Sequence, residues 1–298
     1  MNILFGHTVT RLLVSVALWA ATPAWARDGL GEGMSAFLTS KMPEKPSSPI
    51  PGGKALLAEY RDAPIPKREE AVLDALYRGY FPDYMRALKP ITIQEKGHTL
   101  TFWVTPDYVS IGNNEDAVII PLSFVSARKI LNSWGFVIPT PKMVDAIFHQ
   151  AECVLWPRIF KPATEMVSVA WLEAHNDLIR SQRMLDLDFS RLAAGHKKDI
   201  VLSPRLRHQG KKIAIYGWQN IRAGENIQPL STWHGERYVD YSHGLRLVGA
   251  WGMLDGKLVS MREVMADSSL SSLVSHEGPV PVDEILNVSE PMVTALQP

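Results

Sequence analysis

The chain has 298 residues with 31 basic and 31 acidic side chains; 46% of it is hydrophobic and 21% charged. That balance excludes intrinsic disorder as its main character, because enough apolar surface exists to offset chain entropy. The zero formal charge argues against a general basic field for nucleic acid. A single apolar run of near-spanning length excludes a polytopic membrane protein.

The run comes first. Residues 1–26 hold Arg11, the apolar stretch Leu12 to Ala21, Pro23 and the ending Ala24-Trp25-Ala26. A basic flank, a short apolar core and a small-x-small ending predict a secretory signal peptide cut before Arg27. About ten apolar residues are too few to cross ~30 Å of hydrocarbon. The expectation is a secreted or periplasmic chain with no transmembrane helix once the signal is removed. Residues 27–53 are expected to form an extended arm, because Met42 to Gly53 reads MPEKPSSPIPGG. Residues 54–298 would then make one domain.

Lys67 to Leu88 has helical apolar spacing, interrupted at Pro82, and Ile91–Gln94 with Leu100–Thr105 predict a hairpin around Lys96-Gly97. Val118 to Pro121 reads as a short strand. Helices are expected over Ser123–Trp134, Thr140–Val154 and Thr164–Leu192. Thr140-Pro141 marks a helix start, and Gly195 suits a C′ position. The lone cysteine, Cys153, precludes an intramolecular disulfide; the end of a helix gives it no thiolate-stabilising signal, so it reads as buried and structural. Strand propensity then takes over in Ile200–Leu202, Lys212–Trp218, Arg237–Val248 and Leu258–Ser260, with Asp255-Gly256 as a hairpin turn between the last two. A short helix over Met261–Leu273 and an extended tail beyond Pro279 complete the reading. The expected class is α+β, with helices packed on a mainly antiparallel sheet.

Polar and special residues concentrate between Gly195 and Arg246. If Arg237 to Leu247 is one strand, Tyr238, Asp240, Ser242 and Arg246 share a face, and His243 lies on the other. His196, Asp199, Asp240, Ser242 and His243 are the candidates for acid-base or nucleophilic work. Tyr216, Trp218, Trp233 and Arg246 would position substrate, the guanidinium by gripping a carboxylate and the indoles by stacking on sugar rings. Ser242 and His243 are adjacent, so a serine mechanism needs His196 or His234 as its base. His196-x-x-Asp199 and Asp240-x-x-His243 offer a zinc alternative. On the helix from Thr140, Lys142, Asp145 and His149 share a stripe that could line a cleft. No phosphate-cradling glycine loop or dinucleotide fingerprint occurs, so no nucleotide cofactor is expected and no other cofactor is identified.

Ser242-His243-Gly244-Leu245-Arg246-Leu247, with His234-Gly235 upstream, resembles the SHGC-[IV]-R-L signature of L,D-transpeptidases over about a dozen residues. Leu245 stands where that family has its nucleophilic cysteine, which excludes a thioester mechanism at this position. Export supports a hydrolase, since a reaction with water needs no cytosolic cofactor, and the expectation is an exported hydrolase acting on a cell-envelope or extracellular polymer, peptidoglycan or polysaccharide. The alternatives are a non-catalytic envelope binding or structural protein, or a zinc-dependent hydrolase.

Overall fold

The computed structural model describes residues 30–183 and 188–287. The expected signal peptide lies outside the described residues. The chain opens with helices α1 (Leu30–Thr39), α2 (Gly53–Ala58) and α3 (Ile65–Tyr77). Strands β1 (Lys89–Glu95), β2 (His98–Val104), β3 (Ser110–Gly112) and β4 (Ala117–Ile119) follow. Next come α4 (Phe124–Trp134), β5 (Phe136–Val137), α5 (Pro141–His149), β6 (Cys153–Val154) and α6 (Val169–Arg183). The second half holds β7 (Ala193–Ala194), β8 (Lys198–Ile200), α7 (Leu206–Gln209), β9 (Ile215–Asn220), β10 (Glu225–Ser231) and β11 (His243–Gly244). It closes with β12 (Val248–Leu254), β13 (Lys257–Ser260), α8 (Met261–Ala266) and α9 (Val282–Leu286).

Local chemistry explains the sharpest boundaries. The Thr140 hydroxyl accepts from the Met143 N–H at 3.2 Å and Pro141 takes the first turn, so α5 is capped where the sequence asks for it. Ser123 caps α4, whose other end is released by Gly135 at φ 73°. Lys96-Gly97 and Asp255-Gly256 both adopt positive φ at paired central positions, which suits two-residue hairpin turns.

The result is an α+β fold with helices packed on mainly antiparallel sheet. One sheet runs β1-β2-β12-β13, with β5 also on β12; the other runs β10-β9-β8-β11. Only β11 on β8 and β6 on β7 pair in parallel among the described strands. A main core cluster extends from Leu38 to Leu286 and includes Trp103, Trp134, Phe102 and Phe136. No described helix is long and apolar enough to cross a membrane.

Several expected elements need correction. Residues 30–39 of the expected extended arm form α1, whose buried Leu38 joins the core; Met42 to Gly52 has no regular structure, as the proline spacing requires. The helical spacing expected over Lys67–Leu88 with a break at Pro82 gives a helix that already stops at Tyr77, because Gly79 takes φ 77°, and a short 3₁₀ turn over Asp83–Arg86 after the proline. The helix expected to reach Val154 ends at His149, and Cys153 lies in β6, half-buried. The long third helix spans only Val169–Arg183, with part of the expected remainder outside the described residues. Arg237–Val248 is not one strand: residues 237–242 form a turn-rich loop, and only β11 and the start of β12 are extended. The tail beyond Pro279 contains α9, whose Val282, Ile285 and Leu286 are buried.

Candidate functional site

Strand β8 is the organising element. Its register aligns Lys198 with His243 on one side and Gly217 on the other; Asp199 aligns with Gly244 and Tyr216. The main chain thus gathers the His196–Asp199, Tyr216–Trp218 and Ser242–Arg246 segments. Their side chains nevertheless separate into three clusters.

In the first, His196 and Asp199 make no bond to each other; both reach back to residues about ninety positions earlier. His196 Nε2 lies 3.1 Å from Asp107 Oδ1, and Arg183 Nη1 donates to Asp107 Oδ2 at 2.8 Å. All three side chains are buried. Burial opposes the Asp107 charge, but His196, Arg183 and Arg246 outweigh it and hold the carboxyl below its usual range. Burial also lowers the pKa of His196, so this imidazole is neutral at pH 7 and serves Asp107 as an N–H donor. Tyr108 Oη donates to Asp199 Oδ2 at 2.8 Å, and the Arg246 guanidinium lies 4.3 Å from the Tyr108 ring centre. Burial, with Asp107 and Asp145 adding to it against the opposing Arg246 charge and Tyr108 bond, pushes the Asp199 carboxyl up to about 7.

Arg246 itself is 1% exposed, and its terminal nitrogens donate to Thr105 O and Ala193 O at 2.8 and 2.7 Å. The expectation that it grips a substrate carboxylate is corrected: this guanidinium ties loops and strands together inside the protein. The position of the transpeptidase-like cysteine is filled by Leu245, which is wholly buried in the main core.

The second cluster surrounds Asp240. Ser242 donates to Asp240 Oδ1 from its N–H at 2.8 Å and its hydroxyl at 2.6 Å, which makes residues 240–242 a side-chain-capped turn. Tyr238 Oη donates to Oδ2 at 3.0 Å. The expected row of side chains on one strand face is therefore replaced by a carboxylate that collects donors from its own loop. Burial opposes the Asp240 charge, but His243, the Ser242 bonds and Lys198 hold its pKa below the ordinary value. His234 stacks on Tyr238 with ring centres 4.0 Å apart, and His243 lies 5.8 Å from Tyr238 and 6.4 Å from His234. His234 and Tyr238 are half-buried, whereas His243 is fully buried. Neither ring nitrogen of His243 has a hydrogen-bond partner among the described residues, and burial lowers its pKa to about 4.

The third cluster was not visible in the sequence. Lys197 Nζ donates to Tyr241 O at 2.5 Å and lies 3.1 Å from His175 Nδ1, with no carboxylate in ion-pair range among the described residues. Burial lowers the lysine to about 7. Phe160 and Tyr241 pack against the His175 ring, and Trp171 packs edge-on to both of them. The signal that could have found Lys197 is its place two residues before Asp199, whose side chain must face inward if the β8 alternation holds.

Of the remaining candidates, Tyr216 Oη donates toward both Asp145 carboxylate oxygens at 3.0 Å, pointing to α5 and away from Asp240. The α5 stripe accordingly does not line an open cleft: Asp145 meets Tyr216, Lys142 pairs with Glu95, and His149 is exposed. Trp218 is 6% exposed and takes φ 58°, a strained conformation for an aromatic residue, with Nε1 donating to His196 O at 3.2 Å. Trp233 is 81% exposed. Among the described residues no three His, Cys, Asp or Glu side chains come close enough to share a metal ion, so the zinc alternative finds no donor set there.

No family model, no curated protein and no solved structure matches this chain.

Proposed function

We propose that the protein is an exported hydrolase acting on a cell-envelope or extracellular polymer, peptidoglycan or polysaccharide, with its chemistry at Asp240, His243, His234 and Tyr238. One observation carries the reading. His243 is a buried imidazole with neither nitrogen bonded among the described residues, an arrangement that costs about 1–3 kcal/mol and that a role for the free nitrogen would explain. With its pKa lowered to about 4 it is neutral at pH 7 and keeps a lone pair on one ring nitrogen. The reaction is written with His243 taking a proton from the attacking water and returning it to the leaving group. Asp240, held ionised, stabilises the imidazolium between those steps. Ser242 serves the turn through Asp240.

The test is turnover of peptidoglycan and polysaccharides by the purified protein and its His243→Gln variant. A loss of about 10²-fold or more is expected; full activity in the variant removes His243 from the mechanism. The second reading, a non-catalytic envelope binding protein, is favoured by the burial of His196, Asp199, Asp240, Ser242 and His243. Saturable polymer binding without turnover in the parent protein selects it.

A further inference from the structure

Asp199 and Arg246 each keep one polar atom that their bonds in the first cluster leave unfilled. Asp199 Oδ2 accepts from Tyr108 Oη at 2.8 Å, but Oδ1 has no hydrogen-bond partner among the described residues. The terminal nitrogens of Arg246 donate to Thr105 O and Ala193 O, and Nε is left without a partner among the same residues. These two atoms lie 3.8 Å apart. That is too long for a direct N–H···O bond, which reaches about 3.2 Å, and short enough for one small molecule to bond to both. The side chains are 1% and 5% exposed, so bulk solvent does not satisfy them. Native interiors rarely leave two such groups unpaired side by side.

Both residues line one cavity, with Tyr108, Val144, Phe148 and Trp218 among its other walls. Every lining residue is buried except Phe148, which is half-buried. The space open to the centre of a water-sized sphere is about 10 Å³, near the minimum that holds one water. A sugar or any other organic ligand has no room there. One wall is strained: Trp218 takes φ 58°, and its Nε1 bond to His196 O holds the indole in place. Strain of this kind collects at ligand sites.

Charge selects the occupant. The Arg246 guanidinium repels a small cation, and an ionised Asp199 repels an anion. Water accepts from Nε–H, and it donates to Oδ1 of the carboxylate or accepts from it when the acid is protonated. We propose that the cavity between Asp199 and Arg246 binds one water molecule, bonded to Arg246 Nε and to Asp199 Oδ1. This water completes the hydrogen bonding of the buried pair and joins β8 to the segment between β11 and β12. The site is independent of the hydrolase reading.

The experiment is a high-resolution crystal structure of the purified protein, with water-to-protein cross-relaxation measured by NMR on the same protein in solution. One solvent oxygen is expected within about 2.7–3.2 Å of both Arg246 Nε and Asp199 Oδ1, together with a dipolar cross-peak from water to the Arg246 Nε proton. Asp199→Asn, which keeps polar atoms at the same place, should retain both signals. Asp199→Leu, close in size and without polar atoms, should lose both. Direct closure of Arg246 Nε onto Asp199 Oδ1, or no solvent oxygen between them in the parent protein, overturns the site. A peak with several oxygen contacts near ~2.4 Å marks a metal ion instead and also overturns it. So does a cross-peak that survives in folded Asp199→Leu; if that variant does not fold, the parent and Asp199→Asn measurements decide.

Discussion

Gly244→Ala tests how closely Tyr108 packs against β11. A Cβ built on Gly244 would sit 2.5 Å from Tyr108 Cδ1 and 2.8 Å from both Cε1 and Cγ. Carbon atoms pack at about 3.5–4.0 Å, so the ring must shift by ~1 Å. It has little freedom to do so: Tyr108 is 1% exposed, bonded to Asp199, stacked under Arg246 and edge-on to His196 at 5.0 Å. Overpacking of this kind costs about 1–3 kcal/mol, and pulling the phenol off Asp199 adds about 1–3 kcal/mol for a buried group left unpaired. The sum of roughly 4 kcal/mol is a large part of the ~5–15 kcal/mol that stabilises a folded chain. At ~2–4 °C per kcal/mol, Tm should fall by about 10 °C. Urea unfolding followed by tryptophan fluorescence and far-UV circular dichroism should show a lower midpoint with unchanged slope. In a Tyr108→Leu background the smaller side chain leaves room, so the same glycine change should cost markedly less. A Gly244→Ala protein within ~0.5 kcal/mol of its parent, or an equal cost in both backgrounds, would refute the contact as the cause.

Other expectations concern buried charge. Asp199 keeps its proton up to about pH 7 when folded, against an ordinary value of 3.8, so its contribution is fullest below 3.8 and is lost as pH rises through 7. Asp199→Asn should remove that decline from a pH series of urea midpoints; an unchanged slope would contradict the assignment. Lys197 behaves oppositely, because the folded chain releases at about pH 7 a proton that the unfolded chain holds to 10.5. Stability should therefore rise with pH across that window, and Lys197→Met should flatten the rise. Arg183→Met strips Asp107 of its fully buried cation and should cost about 3–5 kcal/mol in the same unfolding assay. Ser242→Ala removes one turn bond, so it should cost about 1 kcal/mol and change turnover by less than about tenfold; a loss near that of His243→Gln would restore Ser242 as nucleophile.

The parts of the fold that were readable from sequence are those decided within a few residues. Thr140-Pro141 and Asp255-Gly256 act through their own backbone and side-chain geometry, and the structure places a helix start and a hairpin turn there. The hairpin around Lys96-Gly97 is equally local, with Ile93 opposite Leu100 and Glu95 opposite His98. Boundaries failed where a local device overrode a correct pattern. Residues 237–242 alternate as a strand would, with Val239 and Tyr241 buried, yet Asp240 draws the Ser242 N–H and hydroxyl to itself and closes a turn. The tail beyond Pro279 carries no helical repeat long enough to read, and α9 gains its stability from packing Ile285 and Leu286 into the core.

The site divides along the same line. The segment 196–246 was identifiable because histidines, acids and glycines crowd there, and β8 does join its pieces. What the segment's residues do was not readable, because their partners come from elsewhere: Asp107 for His196, Tyr108 for Asp199, His175 for Lys197. Asp107 and Tyr108 are adjacent in Pro106-Asp107-Tyr108-Val109, a stretch that reads as an ordinary loop after a strand. Those distant partners also decide between roles. An acid whose bonds are filled from inside the chain, or a guanidinium whose two terminal nitrogens both are, has its charge spent on structure, as with Asp107 and Arg246. A buried imidazole with neither nitrogen filled has no such use, and that difference separates His243 from His196 even though the sequence presents both as equal candidates.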